Sequence, residues 1–163
     1  MRAKPATKEA FFDALRGEDS LGAVVRAHIH LEARLQLVLD ALTPHPNQLP
    51  TLRYEQRVKL AVALGLDERM LPALTKLGDI RNAFGHRLDV ELTDAMVDDL
   101  FAVLGKEDQE TIIKAYKLTR EQLGLQLPAY EKADARLKFV TIAMALDKFL
   151  IAAEKHAREY RDV

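Results

Sequence analysis

Cysteine is absent from this 163-residue chain. That removes disulfide frameworks, thiolate metal sites and thiol nucleophiles together, and it makes a reducing cytoplasm the expected location. Serine occurs once, at Ser20, where a helix is expected to start, which is a poor setting for a serine nucleophile. The seven glycines stand alone, so no glycine-rich phosphate cradle exists, and no His-Glu-x-x-His pair offers a zinc site. No cofactor and no metal are therefore expected. Apolar runs are too short to span a bilayer, and Met1 to Ala10 lacks the apolar stretch of a signal peptide, so neither membrane insertion nor export is expected. The formal net charge of -1 provides no general attraction for polyanions; nucleic-acid binding would need a local or assembled basic patch.

What is present is the composition of a folded protein, 48% hydrophobic and 30% charged, at a length that suits one domain over 1–163. Helix formers dominate and strand-like alternation is nearly missing, so the chain reads as an all-α bundle with long second and last helices. The expected helices run from Lys8 to Arg16, from Ser20 (as cap) to Leu42, from Tyr54 to Leu64, from about Arg69 to Leu71 onward with Pro72 in the first turn, from Thr93 (as cap) to Leu104, from Glu107 to Leu123, and from Tyr130 to Tyr160. Three prolines within 43–50 make that stretch a loop.

In the second helix, Leu21, Val24, Val25, His28, Leu31, Leu35, Val38, Leu39 and Leu42 form an apolar face, and Arg26, His30 and Arg34 line another. The latter three are candidates for an anion-binding stripe, with a solvated helix face as the plainer alternative. His28 and His30 stand about 200° apart on a helix and do not converge on a metal, and His28 reads as a core or interface histidine. Asp94, Asp98, Asp99, Glu107, Asp108 and Glu110 read as a solvated acidic face. From Leu137 to Ile151 the last helix is apolar on nearly every side, so it is either central in the bundle or buried on two sides, one of them by a second subunit. A homodimer through this helix is expected.

The segment richest in chemistry is Asp79-Ile80-Arg81-Asn82-Ala83-Phe84-Gly85-His86. A permanent cation, an amide and an imidazole lie close together, a set that suits phosphate. For metal-independent RNA cleavage, His86 would move the 2′-hydroxyl proton while Arg81 stabilises charge on the phosphorane. Asp79, Asn82 and His86 fall within about 60° on an ideal helix, which makes Asp79 an accessory candidate for orienting His86. Arg81 and His86, however, stand about 140° apart on an unbroken helix. Three routes could still bring them together: Gly85 ends the helix and lets His86 turn back, the long arginine reaches around, or two subunits pool their pairs in a shared cleft. The structural alternative is that Arg81 and Asn82 tie helices together while His86 sits at the negative helix end.

Ile80-Arg81-Asn82-Ala83-Phe84-Gly85-His86 is similar to the Arg-Asn-x-Phe-Ala-His signature of the mannitol operon repressor-like (MltR) proteins, with Gly85 in place of the usual alanine. The stretches Val24 to Glu32 and Arg57 to Leu66 resemble that family as well, so the likeness covers about residues 15–105. The resemblance implies a HEPN-like helical fold and two functions. One is that of a transcriptional regulator or repressor with a protein partner. The other is that of a metal-independent ribonuclease of the HEPN group, in which Arg81 and His86 would be catalytic and Asn82 would assist. No helix-turn-helix with a basic recognition helix is present, so a regulator would act through protein contacts or an assembled anion-binding cleft. The non-enzymatic regulator is the preferred expectation, the ribonuclease the alternative, and an antitoxin-like or structural interaction module a third.

Overall fold

The computed structural model describes residues 4–86, 90–122 and 126–161, with the backbone alone at His86 and Arg161. Within them the chain is all-α, as expected. Its helices are α1 (Lys8–Arg16), α2 (Ser20–Leu42), α3 (Tyr54–Ala63), α4 (Met70–His86), α5 (Asp94–Ala102), α6 (Lys106–Gln122) and α7 (Ala135–Arg161), with single 3-10 turns at Pro46–Gln48 and Tyr130–Lys132.

The helix starts follow from short polar side chains that accept orphan backbone N–H groups. Thr7 accepts from Ala10, and Thr93 from Met96, the latter as expected. Two starts differ from expectation. Asp19, not Ser20, caps α2: its Oδ1 accepts the Gly22 N–H at 2.7 Å, and its charge complements the positive helix end. The last helix begins at Ala135, because Asp134 accepts the Leu137 N–H at 2.7 Å and Tyr130–Lys132 form a separate turn. At the end of α3, Gly65 takes φ +121°, a backbone conformation that side chains with a Cβ resist, and Leu66 N–H closes back onto Ala61 C=O.

Two long helices form the centre. α2 packs against α1, α3, α4 and α7, while α7 packs against α1, α2, α5 and α6. One hydrophobic core draws on all seven helices. Leu31, Leu35 and Leu39 of α2, and Phe139, Ile142, Leu146 and Leu150 of α7, are fully buried in it. The broad apolar circumference of α7 is thus covered to a large extent within the chain. Leu21, expected on the buried stripe of α2, is instead 49% exposed, while Ala23 and Val24 just after it are fully buried.

Where α2 and α7 meet, a carboxylate lies inside the apolar seam. Asp147 is 1% exposed. The Ala6 backbone N–H donates to His30 Nδ1 at 3.3 Å, which leaves the His30 Nε2–H to donate to Asp147 Oδ1 at 2.8 Å. Arg34 Nε donates to the same oxygen at 3.0 Å, and its Nη1 lies 3.8 Å from Glu154 Oε2. The Phe11 ring stacks on the His30 imidazole at 3.7 Å, so α1 closes the network from outside. Burial pushes the Asp147 carboxyl up, but the hydrogen bonds from His30 and Arg34 and the charge of Arg34 outweigh it and hold the group below its ordinary value. Its contribution to stability is therefore complete above the ordinary carboxylate pKa of about 4 and is lost as pH falls through the lower folded-state value.

Asp147→Ala strands an imidazole and a guanidinium in the seam and is expected to cost about 3 kcal/mol in urea unfolding at pH 7. A loss under about 0.5 kcal/mol would show that the network does not support the seam.

Candidate functional site

The candidate residues of α4 stand on a well-anchored helix. Ala73, Leu74, Leu77, Ile80 and Phe84 are buried, so the side carrying Asp79, Arg81 and Asn82 is left exposed. α3 sets how close α4 comes. Tyr54 OH donates to Leu74 C=O at 2.9 Å, and its ring lies so near Gly78 that an added Cβ would stand 2.9 Å from Cε1. Gly78 is the position at which this packing requires glycine.

Gly85 does not end the helix, contrary to the expected turn-back: α4 runs through it to His86, and a Cβ at Gly85 would meet nothing within 4 Å. The positions of Arg81 and His86 are therefore about 140° apart around the axis. The His86 side chain lies outside the described residues, as does the expected Asp79–His86 contact.

Arg81 and Asn82 are brought together directly. Arg81 Nη1 donates to Asn82 Oδ1 at 3.1 Å, on the exposed surface. With its oxygen engaged, Asn82 has its NH₂ left to offer, beside the remaining guanidinium N–H groups. Among the described residues no carboxylate forms an ion pair with Arg81. Among the described residues the pair is a cluster of donors without an internal anion.

Beneath this edge lies His28 of α2, 6% exposed, as expected of a core histidine. Its ring meets Tyr54 at 4.4 Å with the planes tilted by 50°, and its Nδ1 is 4.0 Å from Glu32 Oε2. Arg57 of α3 donates to Glu32 Oε1 at 3.1 Å. Burial first, and then the charge of Arg81, push the His28 pKa from the ordinary 6.5 down to about 4. The imidazole is neutral at pH 7. Glu32, Tyr54 and Arg57 were not among the residues singled out from sequence; the four-residue step from His28 to Glu32 was the available signal.

The expected anion stripe of Arg26, His30 and Arg34 is corrected. Arg26 pairs with Glu18 at 2.7 Å, while His30 and Arg34 point into the seam and bind Asp147. Arg26 and Arg34 already have carboxylate partners within the chain, and His30, hydrogen-bonded to Asp147, is buried rather than solvated. Asp147 was missed because it lies more than a hundred residues from both partners and looks in sequence like an isolated polar residue on an apolar helix. On the acidic face, Lys138 Nζ lies 3.9 Å from Asp94 and 3.6 Å from Asp98, and Lys76 reaches Asp99 at 3.1 Å. Among the described residues no group of three or more metal-ligating side chains gathers, and no helix is long and apolar enough to cross a membrane.

No protein-family model, curated protein or solved structure matches the chain.

Two outcomes follow from this geometry. A histidine whose folded-state pKa is depressed takes up its proton more readily in the unfolded chain, so its contribution is full above about pH 6.5 and falls away as pH drops toward 4. Unfolding free energy is expected to fall by on the order of 2 kcal/mol across that window, allowing for solvent screening of the exposed Arg81 charge, and His28→Gln is expected to flatten the slope. An unchanged slope would mean another group governs it. Gly85→Ala, in open space on a continuous helix, is expected to add about 0.5–1 kcal/mol in thermal or urea unfolding; a loss of stability would contradict the helical geometry at that position.

Proposed function

We propose that this protein is a helical regulatory protein of the mannitol-operon-repressor type, acting through contacts with a partner rather than by catalysis, with Arg81 and Asn82 as the anion-recognising point of that contact. The observation that carries the reading is the exposed Arg81–Asn82 pair, joined at 3.1 Å and lacking an ion-pair partner among the described carboxylates. A guanidinium held by a neighbouring amide keeps its remaining donors in a fixed direction, which favours a phosphate or carboxylate on an incoming surface.

The buried histidine nearest in charge to Arg81 offers no general base for the regulatory site. The imidazole that senses the Arg81 charge, His28, is buried and holds a proton only below about pH 4, so it is a weak base at neutral pH. The alternative, a metal-independent ribonuclease using Arg81 and His86 with Asn82 assisting, draws its support from the same uncommitted guanidinium, which is free to meet a phosphate. In the regulatory reading the protein is cytoplasmic and works as a homodimer through α7, whose Ile151 remains 39% exposed.

Mixed RNA incubated with the protein in chelator is expected to stay intact. On a phosphocellulose column Arg81→Ala and Asn82→Ala are expected to elute at lower salt than the unmodified chain. RNA cleavage that disappears in both Arg81→Ala and His86→Ala would replace this reading with the ribonuclease.

A further inference from the structure

On the side of the bundle formed by α1, α6 and α7 lies a cleft of about 400 Å³. We propose that it is a binding site for a single-chain amphiphile with an anionic head, such as a fatty carboxylate, the tail lying among the helices and the head at the cationic mouth. The inference is independent of the role given to Arg81 and Asn82.

The cleft exists because α6 lies on the bundle through few side chains. Ile112 and Tyr116 are its buried residues, and the turns beyond them are polar and exposed. α1 inserts Phe11 and Leu15 into the core, which leaves the neighbouring Phe12 facing the cleft. Val140, Met144 and Phe149 of α7 form the floor. Ala115 and Ala145 also line it, where longer side chains would fill the space. The volume falls in the range of small-molecule sites, which are mostly apolar with a few polar groups to orient the ligand.

Several polar atoms of the wall are already engaged within the chain. Tyr116 OH donates to Pro128 C=O, and Thr141 OH to Leu137 C=O, each at 2.8 Å. Such a wall makes little demand for hydrogen bonds and favours an alkyl tail. The mouth has the opposite character. Lys8, Arg16, Arg120 and Lys148 line it against the single carboxylate of Glu9. Among the described residues none of these four cations forms an ion pair, although many of the chain's other cations do. In a protein of net charge -1, a local excess of unpaired cations around an apolar cleft is complementary to an anion attached to a tail.

The test is isothermal titration of the full chain with dodecanoate below its micelle concentration, beside dodecanol and dodecyltrimethylammonium. One-to-one binding of dodecanoate is expected, at least tenfold tighter than either analogue. Ala115→Trp or Ala145→Trp, filling the cleft, is expected to weaken dodecanoate binding at least tenfold. Arg120→Glu with Lys148→Glu, changes to side chains at the mouth, is expected to weaken dodecanoate to the level of dodecanol while circular dichroism shows the helices intact. This charge-reversed protein decides the matter should the tryptophan variants not fold. Absence of dodecanoate binding, equal binding of dodecanol, or binding indifferent to the charge reversal would each overturn the proposal.

Discussion

The bundle depends on the seam between α2 and α7, and on the ionised carboxylate enclosed in it. Apolar side chains on two long helices attract one another with little regard for register, because burial is proportional to area and has no direction. Asp147 supplies the direction. Its Oδ1 collects hydrogen bonds from His30 and Arg34. Sliding one helix by a turn, roughly 5.4 Å, would leave a carboxylate, an imidazole and a guanidinium unmatched in a low-dielectric interior. The leucines hold the helices together; the charged contact determines where they stop. The stacking of Phe11 on His30 extends the same constraint to α1.

The polar edge of α4 depends on that register at one remove. α2 presents His28 and Glu32, α3 presents Tyr54 and Arg57, and the Tyr54 ring seated on Gly78 brings α4 within reach of both. Arg81 therefore stands over a buried histidine, and its charge helps to keep that histidine neutral. The Arg81 guanidinium is thus hydrogen-bonded to the Asn82 amide, and the imidazole that feels its charge is neutral at pH 7.

The side of the molecule formed by α1, α6 and α7 is of another kind. There a lightly anchored helix leaves a space that the core does not fill, and the cations around it lack internal carboxylates among the described residues. The two regions draw on the same resource in different ways. In the seam Arg34 is taken up by the fold, whereas among the described residues Arg81 and the cations lining the cleft form no ion pair.

Helical periodicity, proline and glycine positions and capping residues made the seven helices legible in the sequence, nearly to their ends, because these are local properties of the backbone. Asp19 displaced Ser20 as a cap for an equally local reason: either residue can accept the bond, and geometry chose between them. The polarity of Arg81 and Asn82 was legible too, since the apolar positions of α4 leave them on the far face. The partners were not. His30 and Arg34 lie on a polar-looking stripe, yet they turn inward to Asp147, 117 and 113 residues away. Periodicity reports which residues share a face of one helix, whereas the charge that a face meets belongs to another helix, and only the packing of α2 against α7 decided it.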